Sequence, residues 1–172
     1  MEPIKRYIHQ SNSILIASIA SLLTVAQIIL AFILHGPDSA AWELAGWICL
    51  WIAGIFGTLP ILIFRRKGKV PKGKSYIKTT ALVDSGLYAI VRHPQNGTTW
   101  LLINFGIILI TRHWTSLVLG LFSMILVYAD TFKEDQRCIE KFGEEYQRYM
   151  ERVPRVNPLS GLVRWVVRRT SA

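Results

Sequence analysis

AWELAGWICLWIAGIFGTLPILIF, residues 41–64, decides the fold. It runs 24 residues with one charged side chain, Glu43. As a helix rising 1.5 Å per residue it would span about 36 Å, enough for a hydrocarbon core of about 30 Å. Trp42 and Trp47 sit near one end, where an aromatic belt at a membrane surface would fall, and Pro60 near the other is expected to kink the helix. Gly46, Gly54 and Gly57 are spaced to let another helix approach closely.

Working outward, residues 14–34 form a second apolar run, dotted with Ala17, Ser18, Ala20, Ser21 and Ala26, small residues that favour close packing in lipid. It is too long for the core of a signal peptide and no small-residue cleavage site precedes the next span, so it is expected to remain as a span. Downstream, residues 100–110 and 114–129 are shorter runs separated only by Thr111-Arg112-His113, which predicts a tight helical hairpin. The expectation is an all-α integral membrane bundle of about four transmembrane helices, the last two a hairpin, followed by a cytosolic C-terminal helix. By length the chain is a single domain. Within it, residues 1–64 hold the two N-terminal spans, 65–158 a functional core, and 159–172 a basic interfacial tail.

Charge placement gives the topology. The chain carries 20 Lys+Arg against 11 Asp+Glu, a formal net charge of +9. Lys5 and Arg6 precede the first span; Arg65, Arg66, Lys67, Lys69, Lys72, Lys74 and Lys78 follow the second; Arg148, Arg152, Arg155, Arg164, Arg168 and Arg169 crowd the tail. The connections at 35–40 and 111–114 contain only Arg112. The positive-inside rule then puts both termini and the 65–97 loop in the cytoplasm, and attraction to anionic headgroups accounts for the same charges. No aromatic platform interleaves with them, so nucleic acid is not an expected partner. Cys49 lies in a span and Cys138 in the tail; they are not expected to pair, neither has the neighbours of a zinc site, and no metal is expected.

Between the second and third runs lies LVDSGLYAIVRHPQNGTTW, residues 82–100, polar and centred on Arg92-His93-Pro94. An Arg-His pair at the mouth of an apolar segment is costly unless something uses it. Pro94 disfavours helix at His93 and suits a first helical turn, so a helix is expected from about Pro94 to Ile110, its positive end making an anion site beside Arg92 and His93. Of the four histidines, His9, His35 and His113 lie at span ends and read as structural; His93 is the candidate. Beyond the hairpin, the fourth helix is expected to continue past Asp130. Phe132, Ile139, Phe142, Tyr146 and Tyr149 trace one helix face, on which Asp135 is the one polar member. Asp130 and Glu134, four apart, form a second acidic column, and Gly143 marks a bend or break. These carboxylates either pair with Lys133, Arg137 and the basic loop, or wall a site that takes a cation or a transferable proton, with Tyr88, Tyr146 and Tyr149 placed to line it. Pro154 and Pro158 end the helical pattern, and residues 162–169 mix apolar side chains with Arg as a helix on a membrane surface would.

Residues 82–97, the hairpin, and KEDQRCIEKFGEEYQRYMERVPRVNP together resemble the isoprenylcysteine carboxyl methyltransferase and phospholipid methyltransferase superfamily. The shared pattern is G-x-Y-x-x-x-R-H-P, then an acidic pair, F-G-x-x-Y-x-x-Y and V-P, covering residues 79–158, while the first two spans match only in hydropathy. The resemblance implies an integral membrane enzyme using S-adenosylmethionine, bound on the cytosolic side. By position it assigns Gly86, Tyr88, Arg92, His93, Pro94 and Asn96 to the cofactor pocket, with Tyr146 and Tyr149 as supporting aromatics. Glu134 and Asp135 match the acidic pair that closes the site, and with Asp130 they are the expected catalytic carboxylates. Asn96 stands where the family usually has Tyr. Asp130 stands where the prenylcysteine enzymes place an Arg, which favours a lipid amine headgroup over a prenylcysteine carboxylate as lipophilic acceptor. The tail from Asp135 to Pro154 also resembles NADPH-dependent sterol reductases, a competing reading, and a non-catalytic membrane module of the same fold is a third.

Overall fold

The computed structural model describes residues 2–67 and 80–170, with side chains from residue 13 onward. Most of the basic stretch from Arg65 to Lys78 falls outside the described residues. The elements are α1 (Glu2–Ala31), α2 (Ala40–Lys67), a 3₁₀ turn (Gly86–Ala89), a π-helical turn (Pro94–Thr99), α3 (Trp100–Thr111), α4 (Trp114–Phe142), α5 (Glu144–Arg152) and α6 (Pro158–Thr170). No strand occurs among the described residues. Among the described residues, three helices are long and apolar enough to cross a membrane: Ser13–Ala31 of α1, α2, and α4. The third apolar run does not reach that length. At 12 residues, α3 covers about 18 Å, so the expected four crossings stand as three of spanning length and one short helix.

The chain divides into two compact units, Met1–Ala53 with Trp100–Glu134, and Gly54–Thr99 with Asp135–Ala172. In the first, α3 and α4 form the expected hairpin. Arg112 takes a positive φ of 51° at the turn, and the His113 ring, with Nδ1 2.8 Å from Thr115 Oγ1, caps the start of α4. Gly46 and Gly106 let α2 and α3 touch backbone to backbone, since a Cβ on Gly46 would lie 2.7 Å from the Gly106 carbonyl oxygen. Gly57 makes only ordinary contact with Thr99 in the second unit and Gly54 has nothing within 4 Å, so neither supports the expected close approach.

Polar side chains inside the apolar runs tie α1 to α3 and α4. Gln27, Asn104, Ser116 and Ser123 are fully buried. Gln27 Nε2 donates to the carbonyls of Asn104 (3.2 Å) and Ser116 (3.1 Å), the Thr24 and Ser123 hydroxyls lie 2.9 Å apart, and Trp100 Nε1 donates to Ser123 Oγ (3.1 Å). Lipid offers such groups no alternative partner, so they bond one another.

In the second unit, Gly143 at φ +59° ends α4 and lets α5 restart at a new angle, the expected break. Tyr146, Tyr149 and Val153 of α5 and its exit form a buried cluster against Leu82, Cys138, Ile139, Phe142 and Met150. The expected apolar face is thus real from Asp135 onward. Phe132, by contrast, is 48% exposed and meets the Tyr128 ring edge-on. Cys49 and Cys138 form no disulfide.

Candidate functional site

The Arg-His-Pro segment is held by backbone before any side chain acts. Val91 is fully buried and anchors the loop. The Arg92 and His93 N–H groups donate to the carbonyls of Pro154 and Arg155, both at 3.0 Å, so backbone bonds tie the two segments together. Pro94 keeps His93 out of helical geometry. The His93 carbonyl then accepts from Gly97 (3.1 Å) and Thr98 (2.9 Å), the wider turn with which the expected helix begins before it tightens into α3. Thr98 Oγ1 donates to the Val156 carbonyl at 2.8 Å, a third stitch between the same segments.

Onto this frame α4 brings Asp135, 2% exposed, and α5 brings Tyr146. Asp135 Oδ1 is 2.8 Å from His93 Nε2 and accepts from the Tyr146 hydroxyl at 2.6 Å. Its other oxygen, Oδ2, takes Nε and Nη2 of Arg155, both at 2.9 Å, with Arg92 Nη1 at 3.4 Å. A buried carboxylate is tolerable only when paired and hydrogen-bonded, and this one is saturated. Arg92 is different. Its side chain is 8% exposed, yet Nε and Nη1 are buried without a hydrogen-bond partner. Its charge is met by Asp135, while those two nitrogens keep hydrogen-bonding capacity beyond that ion pair.

The charged part of α4 from Asp130 onward lies beyond its apolar stretch, which ends at Ala129. Burial alone would push the Asp135 carboxyl up. The hydrogen bond and charge of His93, the Tyr146 hydroxyl and the charge of Arg92 outweigh it and hold the group at about 2. Tyr146 is driven the other way, by burial first and then by Cys138 and the Asp135 carboxylate, and keeps its proton. Burial likewise raises Tyr149, whose hydroxyl donates to the Tyr88 carbonyl at 2.6 Å. Tyr88 is buried, its ring 4.8 Å from that of Phe64.

Of the expected site residues, Arg92, His93, Asp135 and Tyr146 meet directly, while Tyr88 and Tyr149 are joined by a hydrogen bond beside the same loop. Pro94 is buried at the start of the π-helical turn; Gly86 and Asn96 are exposed. Glu134 and Asp130 belong to the first unit, where both are half-buried and Asp130 accepts from Ser13 at 2.7 Å. Glu134 is turned about 100° around α4 from Asp135, as helical neighbours are. Arg155 is the functional residue that sequence reasoning missed. It counted as one tail charge among six, although V-P-R directly after the Tyr-x-x-Tyr step was the available signal. A cavity of about 500 Å³ in the first unit, lined by Pro37, Trp42, Arg112, His113 and Trp114 among others, contains none of the expected residues.

Helices of membrane-spanning length define a helical membrane protein, and its second unit carries a clasp of Arg92, His93 and Arg155 around the buried Asp135. The phospholipid methyltransferase family model matches residues 43–145, more than half of the chain. The chain belongs to the phospholipid methyltransferase family, and membership implies methyl transfer at a membrane. The match begins in α2, so the second span, matched only in hydropathy on sequence reading, is part of the family pattern. No curated protein and no solved structure matches the chain.

Proposed function

We propose that the protein is an S-adenosylmethionine-dependent methyltransferase acting on the amine headgroup of a membrane lipid, with its site and both termini in the cytoplasm. The observation that carries the reading is Arg92, a buried guanidinium with Nε and Nη1 unbonded beside a carboxylate already saturated by other donors. The donor's amino-acid carboxylate suits Arg92 in chemistry and charge, and Tyr88 with its aromatic neighbour Phe64 offers apolar surface beside it. When bound, the cofactor supplies an electrophilic methyl group.

The chain's own residues do the rest. His93 spends Nε2 on Asp135 and keeps Nδ1 as its remaining ring nitrogen, so Asp135 fixes the ring's orientation. Arg155 and Tyr146 in turn fix Asp135, which acts here as a positioning residue. Gly86, Pro94 and Asn96 shape the loop; Tyr149 braces it through the Tyr88 carbonyl. Methyl transfer is an in-line displacement, so holding donor and acceptor in line supplies most of the rate. A headgroup ammonium must lose a proton before its lone pair can attack, and Asp130 or Glu134 is the proposed acceptor. The basic residues beside the spans support the cytoplasmic placement.

The test is incubation of purified protein with radiolabelled methyl donor and a total lipid extract. Label in an aminophospholipid is expected. Label in a prenylcysteine analogue but not in aminophospholipids would overturn the acceptor, and heat of binding with NADPH but none with S-adenosylhomocysteine would overturn the cofactor.

A further inference from the structure

Helix α6 is docked with its apolar side out. Leu159, Leu162, Val163, Val166 and Val167 are 46–76% exposed. At 100° per residue they fall within an arc of about 140° on the helix. Gly161 and Arg168 lie on the opposite side, and these are the residues that seat the helix on the second unit. A Cβ on Gly161 would overlap the Ile90 carbonyl, so the helix backbone rests on that loop. Arg168 donates to the carbonyls of Arg152 (2.8 Å) and Ala89 (3.1 Å). A surface helix of a soluble domain would turn its apolar stripe inward; here backbone contact and arginine forks hold the body while the stripe is left to something else.

We propose that the outward face of α6 is a binding surface for an anionic phospholipid bilayer, and that seating it there braces the loop at 87–93. The occupant follows from charge and chemistry. The helix carries Arg164, Arg168 and Arg169 and no acidic residue, while its exposed stripe is wholly aliphatic. The Arg169 guanidinium sits over the Trp165 ring, 4.3 Å from its centroid, an arrangement suited to the headgroup layer. Anionic headgroups answer the arginines and acyl chains answer the stripe. The brace follows from what α6 grips. Ile90 and Ala89, the two carbonyls it rests on, immediately precede Val91, Arg92 and His93.

The test uses the full chain in lipid nanodiscs, with Cys49 and Cys138 replaced by Ala and a spin label placed through Val163→Cys, Val166→Cys or Arg164→Cys in turn. In discs containing phosphatidylglycerol, labels at 163 and 166 should be shielded from a water-soluble nickel relaxant and the label at 164 should not. Shielding should weaken in pure phosphatidylcholine and with Arg164→Glu plus Arg169→Glu on the two outward-label variants. Equal nickel access at all three sites would overturn the proposal. So would dipolar broadening between copies in discs holding two chains, since a second copy would then cover the face. Hydrogen exchange on the chain with its native cysteines reads the brace: amides at 87–93 should exchange at least about threefold faster with Val163→Asp plus Val167→Asp, both at exposed positions. Unchanged exchange there, with shielding intact in the labelled chain, would overturn the brace.

Discussion

Asp135→Asn is the sharpest perturbation the clasp allows. The carboxylate is 2% exposed and serves His93, Tyr146, Arg155 and Arg92 at once. Neutralising it leaves two buried guanidiniums without their anion and turns an amide N–H₂ toward one of them. Removing one partner of a buried ion pair costs about 3–5 kcal/mol. For a chain of this size each kcal/mol moves the midpoint by about 2–4 °C, so Tm in detergent at pH 7 should fall by about 6–20 °C. The pH dependence gives a second handle. Asp135 titrates near 3.8 when unperturbed and at about 2 in the fold. Its folded value is depressed, so its contribution is fully present above about 4 and is lost as pH falls through about 2, and the gap is about 2 kcal/mol. Wild type and variant should therefore converge as pH drops from 4 toward 2. A Tm loss under about 2 °C at pH 7, or a gap that does not narrow in acid, would refute the view that a charged, saturated Asp135 holds these segments together.

His93→Ala should weaken S-adenosylhomocysteine binding by calorimetry; unchanged affinity would remove His93 from the pocket. Asp130→Arg should leave donor affinity near wild type and shift labelling from amine headgroups toward carboxylate acceptors, read by thin-layer separation of the labelled lipids. Gly106→Val places new carbon within 2.9 Å of the Gly46 carbonyl oxygen, so unfolding in mixed detergent should show a loss of roughly 1–3 kcal/mol; a neutral result would mean that α2 and α3 can part at no cost.

Parts of the site were legible because they are local. The steps from Asp135 through Ile139, Phe142, Tyr146 and Tyr149 hold one face across Gly143, and the structure buries Asp135, Tyr146 and Tyr149. His93 before Pro94 was marked by the cost of a charged pair at the end of an apolar run. Arg155 was not legible, because nothing in periodicity tells one arginine of a basic tail from its neighbours when its partner lies 20 residues away, beyond the break at Gly143 and the end of α5. The tie between Gln27, Asn104, Ser116 and Ser123 carries no periodic signal, since it joins residues on three different helices.

The chain's hydropathy determined by itself that the protein is helical and membrane-bound, because only helices satisfy every backbone group inside an apolar run of that length. The ordered Gly-x-Tyr, Arg-His-Pro and acidic-pair pattern determined the family. Tertiary structure alone decided that Asp135 is saturated while Arg92 keeps unbonded nitrogens, that Arg155 belongs to the clasp, and that α6 turns its aliphatic stripe outward. Each depends on which atoms lie within about 3 Å of one another, a distance that residues far apart in sequence acquire only when the chain has folded.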